Sequence, residues 1–285
     1  MSEGKRAARQ VETHARSGAN RASPVLVALG RFGYAAEGFV YVLIGVLAVQ
    51  VAVGHGGETP DNTGVLLQIA GAPFGRVLLL AIAVGFVGYA VWRFLEAALD
   101  PGGEGTGAQG IATRLGFAIT GALHLAFAFS VVRLLQTGSA GASTDATTKG
   151  GTAQLLSKPF GQWLVGLVGL GVLGFACWQF FQATRAKFRE YANLREMNAT
   201  EERGYTTLGR VGYAARGVVF VIIGLFLIGA ARSANPQDAR GLDSALADLA
   251  TRPFGPWLLG ITALGFVAYG LFLLAEARFH RIAVA

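Results

Sequence analysis

Six apolar stretches divide the chain, each about as long as a helix that crosses a lipid bilayer. They cover residues 34–53, 77–98, 115–135, 163–181, 213–231 and 257–277. About 20 consecutive apolar residues span the hydrocarbon core, and a segment without water must satisfy its backbone hydrogen bonds internally, as a helix does. The pattern therefore predicts an all-α membrane protein with six transmembrane helices.

The six stretches form three pairs, because the same motif recurs at the start of every second one. It reads L-G-R-F-G-Y-A-A-E-G at 29–38, A-T-R-L-G-F-A-I-T-G at 112–121 and L-G-R-V-G-Y-A-A-R-G at 208–217. Repeats with an even number of spans all enter the membrane with the same polarity, so an axis along the membrane normal relates them. The simplest packing is a pseudo-threefold bundle of three parallel two-helix repeats.

A tripeptide, P-F-G, precedes the second helix of each pair, at Pro73, Pro159 and Pro253. Proline is favoured at the first position of a helix, where its missing N–H has no partner, so each proline is expected there. Short amphipathic stretches come before the tripeptides, at 65–70, 153–156 and 242–249. They predict short helices on the outer membrane interface.

These elements predict the organisation of the chain. A basic cytoplasmic tail at 1–27 is followed by repeat 1 at 28–100, repeat 2 at 111–184, a charged cytoplasmic linker at 185–206 and repeat 3 at 207–278. The glycine-rich residues 100–110 predict a flexible connection between the first two repeats. The fourth long helix is expected to continue into the linker, to about Met197.

Composition and charge place the chain in a membrane and orient it. Only 14% of the residues are charged, against about 25% in soluble domains, and 53% are hydrophobic. Lys and Arg concentrate in the tail, in the linker and after the last helix, whereas the opposite loops carry acidic residues. Because basic residues favour the cytoplasmic side, both termini are expected in the cytoplasm and the protein in the plasma membrane. The expected partners are the lipid bilayer and, as an open alternative, another membrane protein, but not nucleic acid.

Ionisable residues within the apolar stretches are costly to bury and mark a candidate polar site. The candidate residues are Glu37, Arg93, Glu96, His124, Arg216 and Glu276. Glu37 and Arg216 occupy one repeat position, where repeat 2 has Thr120. Glu37 is expected to face the bundle interior and to pair with Arg216 or Arg93, either as a structural ion pair or as part of a transport pathway.

The second helix of every repeat carries a stripe of small and aromatic residues with one polar end. The stripe comprises Gly85, Tyr89, Trp92 and Glu96 in repeat 1, Gly171, Phe175, Trp178 and Gln182 in repeat 2, and Gly265, Tyr269, Phe272 and Glu276 in repeat 3. It predicts helix packing through glycine, with an aromatic-lined cavity for a small or lipid-like ligand as the alternative. Its polar ends are expected to meet the arginine of the repeated motif, in the pairs Arg31–Glu96, Arg114–Gln182 and Arg210–Glu276.

The residue pattern points neither to catalysis nor to a bound cofactor. His124 is the only histidine in an apolar stretch and has no second His, Cys or carboxylate at ligand spacing in the sequence, so neither a metal nor a cofactor is predicted. The G-x-G-x-x-G match at 105–110 follows no predicted strand and is interpreted as a linker. The single Cys177 excludes an intrachain disulfide. An enzyme is therefore not expected.

The motifs resemble a known family. Mitochondrial carriers also consist of three tandem two-helix units, but their P-x-D/E-x-x-K/R signature is missing from the ends of the odd helices. The G-R-x-G-Y-A-A-x-G pattern, the P-F-G tripeptide and the G-x-x-x-Y/F-x-x-W/F stripe instead resemble the prokaryotic family DUF1206, a domain of unknown function. The resemblance covers about Leu29 to Ala277 and implies a six-span plasma-membrane protein of three tandem repeats. It implies no activity, substrate or site residue.

Two functions fit this sequence. The favoured one is a non-enzymatic structural or partner-binding membrane component, because the chain specifies an architecture without a catalytic arrangement. The alternative is a channel or transporter for a small solute, proton or ion, which Glu37, Arg216 and the pseudo-threefold axis suggest.

Overall fold

A computed structural model describes residues 24–54, 61–100, 103–139 and 141–280. Most of the basic tail predicted at 1–27 lies outside the described residues. Six helices in the described ranges are long and apolar enough to cross a membrane. They are α1 (Pro24–Ala52), α3 (Gly75–Leu99), α4 (Ala108–Thr137), α6 (Gly161–Arg185), α7 (Ala199–Ser233) and α9 (Gly255–Phe279). They confirm the prediction of an all-α membrane protein.

A short helix connects the two long helices of each repeat. These connecting helices are α2 (Asn62–Gly71), α5 (Thr144–Leu156) and α8 (Leu242–Thr251). They confirm that a helix precedes every P-F-G, and each extends beyond the stretch that the sequence predicts.

Each P-F-G tripeptide forms the same tight turn between a short and a long helix. Phe74, Phe160 and Phe254 adopt left-handed backbone with φ of 60°, 59° and 60°, and the long helix begins at the following glycine. The expectation that proline opens the helix is therefore wrong, because proline lies two residues before it. A Cβ atom added at Gly75 would collide with the Ile69 carbonyl oxygen, so the turn requires glycine there.

Repeats 2 and 3 are joined by an ordered turn of chain and not by an extended helix. α6 ends at Arg185, Ala186 has a φ of 51°, and a 3-10 helix follows at Lys187–Tyr191. The prediction of a helix reaching Met197 is therefore wrong. Phe188 turns back into the bundle, where it is buried and stacks on a tyrosine of α7 with 5.4 Å between ring centroids. Burying this ring requires the chain to leave the helix direction at Ala186.

The long helices pack around an incomplete ring. α4 packs on α3, α3 on α1, α1 on α9, α9 on α7, and α7 on α6. A closed threefold arrangement of three helix pairs would have one further interface, between α4 and α6 of repeat 2. Among the residues that the structure describes, α4 and α6 share no such packed interface. The predicted pseudo-threefold bundle is therefore closed at repeats 1 and 3 and open at repeat 2.

One glycine of the repeated motif lets neighbouring repeats approach each other. Gly38 lies where α1 crosses α9, and a Cβ atom added there would be 2.7 Å from the carbonyl oxygen of Gly270. The equivalent Gly121 and Gly217 make close contacts with α3 and α6. Lipid supplies no hydrophobic drive for helix association, so packing through such small residues stabilises the bundle. The helix-packing interpretation of the glycines is confirmed at these interfaces.

Apolar side chains fill the half of the bundle next to the P-F-G turns. The fully buried members of this cluster include Ile44, Ala48, Val65, Val131, Leu246 and Leu259. Because Val65 belongs to α2 and Leu246 to α8, two of the short helices turn their apolar faces inward. They cover this end of the bundle.

The N-terminal ends of the three short helices meet at the P-F-G end of the molecule. Asp61 caps α2 and also accepts a hydrogen bond from the Thr144 N–H at the start of α5, at 2.6 Å. Asp145 accepts one from the Gly241 N–H ahead of α8, at 2.9 Å, and pairs with Lys149 at 2.6 Å. Carboxylates stabilise helix N-termini, since they accept hydrogen bonds from free N–H groups and oppose the helix dipole. The short helices are therefore linked in series, from α2 to α5 to α8.

The carboxyl groups at this junction influence one another. Burial raises the pKa of Asp145, but hydrogen bonds from Lys149 and Gly241 lower it by more, and its net pKa lies below the ordinary value. Burial, followed by the charges of Asp145 and Asp61, raises the pKa of Asp243. A group with a depressed pKa stabilises the fold in its charged form, above the pH range in which it titrates in the unfolded chain. Asp145 therefore stabilises this junction as a carboxylate.

Substitution of Gly38 by alanine should weaken the α1–α9 interface, because the new methyl group would meet the Gly270 carbonyl and push the helices apart. Overpacking of this kind costs about 1–3 kcal/mol. Unfolding in detergent micelles titrated with sodium dodecyl sulfate measures the loss. Gly229→Ala in α7 is the matched control, since no atom lies within 4 Å of its added Cβ. Equal stability of the two variants would show that the close crossing is dispensable.

Replacement of Asp145 by asparagine should lower the free energy of unfolding at pH 7 by about 1 kcal/mol, since the charge-assisted bonds from Lys149 and Gly241 are lost. The loss should shrink as the pH falls through the depressed pKa, because the wild-type carboxyl is then protonated as well. Unfolding titrations at pH 7 and at about pH 3 measure both effects. A loss of the same size at both pH values would contradict a role for the charge.

Candidate functional site

Glu37 of α1 and His124 of α4 meet inside the bundle. Glu37 Oε1 lies 3.6 Å from His124 Nε2, and both residues are buried. Glu37 directly precedes Gly38, at the point where α1 crosses α9. The inward orientation of Glu37 is confirmed, but its ion-pair partner is His124. Arg216 and Arg93, the expected partners, act on Glu37 through longer-range electrostatics.

The hydrogen bonds of His124 indicate where its proton lies. Nδ1 is 2.8 Å from the Thr120 carbonyl oxygen, and because a carbonyl only accepts, Nδ1 carries a proton. Nε2 lies 3.6 Å from Glu37 Oε1, so the ring can present either a lone pair or a second N–H to the carboxyl group. A pair that shares one proton has no net charge, and neutrality removes most of the cost of burying an isolated ion.

Arg216 lies in a cage of three aromatic rings between α1, α7 and α9. Its guanidinium carbon is 4.4 Å from the ring centroid of Tyr269, 5.3 Å from that of Tyr41 and 5.6 Å from that of Phe220. It also donates a hydrogen bond to the Tyr269 hydroxyl. Cation–π contacts strengthen when water is excluded, so the cage stabilises a charge within a membrane helix.

Arg93 lies in a second cage, between α1, α3 and α4. Tyr89, Phe117 and Tyr34 place their ring centroids 4.8, 5.2 and 5.7 Å from its guanidinium carbon. Arg93 also donates hydrogen bonds to Glu96 Oε2 at 2.8 Å and to the Tyr89 hydroxyl at 2.5 Å. The aromatic rings of the two cages therefore enclose guanidinium groups of the chain itself. The alternative interpretation of the sequence expected aromatic residues to line a cavity for a small or lipid-like ligand.

A buried hydrogen-bond network continues from Arg93 to Glu276. Arg93 donates to the Tyr34 hydroxyl at 3.3 Å, and that hydroxyl lies 3.4 Å from His280 Nε2. His280 Nδ1 contacts Glu276, which also accepts a hydrogen bond from the Tyr205 hydroxyl. The network joins α3, α1, α9 and α7 at the end of the bundle opposite the P-F-G turns.

Three members of this network were not predicted from the sequence, namely Tyr34, Tyr205 and His280. His280 follows Glu276 by four residues, a spacing at which side chains meet along a helix, and this signal could have identified it. Tyr205 falls within the predicted linker and joins the network because α7 begins as early as Ala199. Tyr34 belongs to the repeated motif, but the motif alone does not show which helix it faces.

The predicted pairs at the polar ends of the stripe are wrong, namely Arg31–Glu96, Arg114–Gln182 and Arg210–Glu276. Glu96 instead pairs with Arg93 at 2.8 Å, one turn away on the same helix, and Glu276 contacts His280 in the same way. Arg114 donates to two backbone carbonyls at the end of α3, at 2.8 and 3.0 Å. Pairing with a residue on the same helix costs less conformational entropy than pairing across helices, because the helix already holds the two side chains close together.

The ionisable groups inside the bundle pair with one another and hold helices together. Glu96 pairs with Arg93, Glu37 with His124, and Glu276 with His280. Within the described ranges, no three His, Cys, Asp or Glu side chains gather in a way that could hold a metal ion. The arrangement can therefore fix helix positions and hold a proton at the Glu37–His124 pair.

Repeat 2 departs from the other two repeats on the faces where its long helices should meet. A Cβ atom added at Gly33 of α1 would be 2.5 Å from Tyr89 Cβ of α3, and the same contact recurs in repeat 3 at 2.6 Å. At the equivalent Gly116 of α4 no atom lies within 4 Å, and Phe175, the counterpart of Tyr89, is 43% exposed. We call these uncovered faces the open edge, which comprises Gly116, Ile119 and Leu123 of α4 and Gly171, Phe175 and Trp178 of α6.

Comparison with known proteins identifies the repeats as those of one family. The family model Domain of Unknown Function (DUF1206) matches residues 32–100, 115–186 and 211–280. The chain is 36% identical over 259 residues to "Uncharacterized protein YxxB" of Bacillus subtilis (strain 168), covering 91% of this chain and 93% of that protein. No solved structure matches the chain. The resemblance drawn from the repeated motifs is confirmed, and the protein belongs to the DUF1206 family.

Proposed function

We propose that the protein is a non-enzymatic component of the plasma membrane that binds another membrane protein at its open edge. The observation that carries this proposal is the difference between the repeats. Repeats 1 and 3 bury their glycine and aromatic faces between their own helices, whereas repeat 2 retains such residues and leaves them uncovered. A face in contact with lipid has no need of glycine, but a helix–helix interface does.

The non-enzymatic part of the proposal is supported by the contacts of the buried ionisable groups. Arg93, Arg216 and Glu276 each bind side chains of a second helix, and Glu37 pairs with a histidine of another. Groups used in this way fix the register of the bundle. Polar groups that are satisfied within a low-dielectric interior hold their neighbours in one geometry.

Transport of a proton or small ion is the second candidate function, and one observation favours it. Glu37 Oε2 is buried, and no hydrogen-bond partner is found for it among the described residues. The Glu37–His124 pair could therefore exchange its proton with a mobile species. Against transport, the apolar cluster around Ile44 and Leu259 separates this pair from the P-F-G end, and conduction would require that cluster to open.

We also propose that both termini face the cytoplasm and that the lipid bilayer is a direct partner. The basic Lys187–Tyr191 segment lies at the end of the bundle opposite the P-F-G turns. The carboxyl groups of Asp61, Asp145 and Asp243 gather at the P-F-G end. Since basic residues are retained on the cytoplasmic side, this polarity supports an external position for the P-F-G turns.

Proteoliposomes should show no flux beyond that of protein-free liposomes when they are assayed for protons, potassium ions and small metabolites. The reason is the apolar cluster, which leaves no polar path past Ile44 and Leu259. Entrapped pH-sensitive and potassium-sensitive dyes provide the measurement. Flux that is present in the wild-type protein and abolished by Glu37→Gln, with the fold intact by circular dichroism, would establish transport in place of the proposed function.

Cysteine accessibility in whole cells should show the proposed orientation. In a Cys177→Ala background, a membrane-impermeant maleimide should label Ser139→Cys, which is exposed near the P-F-G end. It should label Ser2→Cys only after the membrane is permeabilised, because the basic tail is held on the cytoplasmic side. Labelling of Ser2→Cys in intact cells would invert the topology.

A further inference from the structure

We infer that the protein covering the open edge is a second copy of this chain, in a dimer with twofold symmetry. The inference rests on the proposed partner-binding function and names the partner. It follows from the internal repeats, because repeats 1 and 3 show what each uncovered face of repeat 2 is shaped to meet.

The uncovered face of α4 corresponds to a face that is buried in both other repeats. Val40 of α1 and Val219 of α7 are each 3% exposed, whereas their counterpart Leu123 of α4 is 54% exposed. In the closed repeats this face packs against the glycine and aromatic stripe of the following long helix. α4 therefore exposes a face that, in repeats 1 and 3, is covered by the second long helix of the same repeat.

The uncovered face of α6 is equivalent to the helix face that covers the first long helix in repeats 1 and 3. A Cβ atom at Gly85 would be 2.5 Å from Ala36 Cβ, and Gly265 makes the same close contact in repeat 3, but no atom lies within 4 Å of a Cβ at Gly171. Trp92 is 2% exposed, and its counterpart Trp178 is 39% exposed. The stripe of repeat 2 retains its glycine and aromatic residues and has no helix of its own repeat against it.

A buried polar atom at the end of this stripe provides an independent observation. Gln182 is 6% exposed, and its Oε1 has no hydrogen-bond partner among the described residues. The equivalent Glu96 and Glu276 both have partners. A buried oxygen without a donor is costly away from water. The polar end of the stripe is thus satisfied in repeats 1 and 3 and incomplete in repeat 2.

A second copy supplies both missing halves at once. A twofold axis along the membrane normal places α4 of one copy against α6 of the other, and α6 of the first against α4 of the second. Each contact keeps the antiparallel direction that the paired helices have in repeats 1 and 3. Such an interface closes on itself without further copies, and the residues of the open edge carry no charge that would repel. A foreign helix or an acyl chain would cover only one face at a time.

Crosslinking of two differently tagged chains by a short bismaleimide tests the dimer. Both chains carry Cys177→Ala, one carries Ile119→Cys and the other Phe175→Cys, and they are reconstituted together in phosphatidylcholine and phosphatidylglycerol vesicles. We expect a dimer with both tags, because the equivalent Ala36 and Tyr89 both lie at the α1–α3 contact, each with its Cβ 2.5 Å from a Cβ placed on a glycine of the opposite helix. Neither substitution adds a side chain at a glycine. The matched control places Ala36→Cys and Tyr89→Cys on separate chains. It should give no dimer, since that interface is closed within each chain.

A second measurement protects the test against a failure of one variant to fold. Gly171→Leu and Gly116→Leu should each weaken association at least tenfold, measured by energy transfer between labelled chains as lipid is added. A Cβ atom at either position has no other atom of its own chain within 4 Å, so the melting temperature of the isolated chain should stay unchanged. Gly229→Leu, on a different helix, should leave association unchanged. Unchanged association in both edge variants would overturn the inference.

Other occupants of the open edge give different results. A crosslink only within a single chain that carries both Ile119→Cys and Phe175→Cys would show that repeat 2 closes on itself, which overturns the dimer and the proposed partner binding together. Labelling of both positions by lipids with photoreactive acyl chains, without any dimer, would do the same. In native membranes, crosslinks from Phe175→Cys only to a different protein would overturn the dimer and leave partner binding intact.

Discussion

Long helices of neighbouring repeats meet at glycine, and this close backbone contact holds the bundle together. Every repeat has a glycine that faces the neighbouring repeat, and at Gly38 the backbones of α1 and α9 come so close that no side chain fits between them. Because lipid provides little drive for helix association, such contacts must supply the stabilising packing. They also set the position of α1, where Glu37 precedes Gly38 and lies buried beside His124 of α4.

That close packing divides the bundle into an apolar and a polar half. Next to the P-F-G turns, aliphatic side chains and two short helices fill the interior. Toward the other end, Arg93 and Arg216 are held in aromatic cages, and a hydrogen-bond network runs from Glu96 to Tyr205. Buried ion pairs contribute little net stability, but breaking one is costly, so such groups fix a single arrangement of their helices. Fixed helix positions and a filled apolar half suit the proposed binding of a partner protein better than the conduction of an ion or solute.

The sequence predicted the elements well and the contacts less well. Apolar runs and the repeated motif identified the six long helices, the three repeats and the interior position of Glu37, because these follow from local periodicity. The partner of Glu37 could not be derived, since it depends on which helices become neighbours around the ring. The predicted pair of Arg31 with Glu96 failed because Arg93 lies closer along the same helix. The only sign of the open edge in the sequence is that repeat 2 has Ile119 where the other repeats have alanine. That α4 and α6 lack a packed interface is shown only by the structure.

The threefold frame of helices is closed at repeats 1 and 3 and open at repeat 2. Double electron–electron resonance between nitroxide labels at equivalent exposed positions measures this difference. Labelled protein is diluted into unlabelled protein, so that only distances within one chain are recorded. The label pairs are at Phe32 and Val91, at Leu115 and Cys177, and at Val211 and Leu271. We expect similar distances in repeats 1 and 3 and a distinctly longer distance in repeat 2. Three equal distances would show that repeat 2 is closed as well.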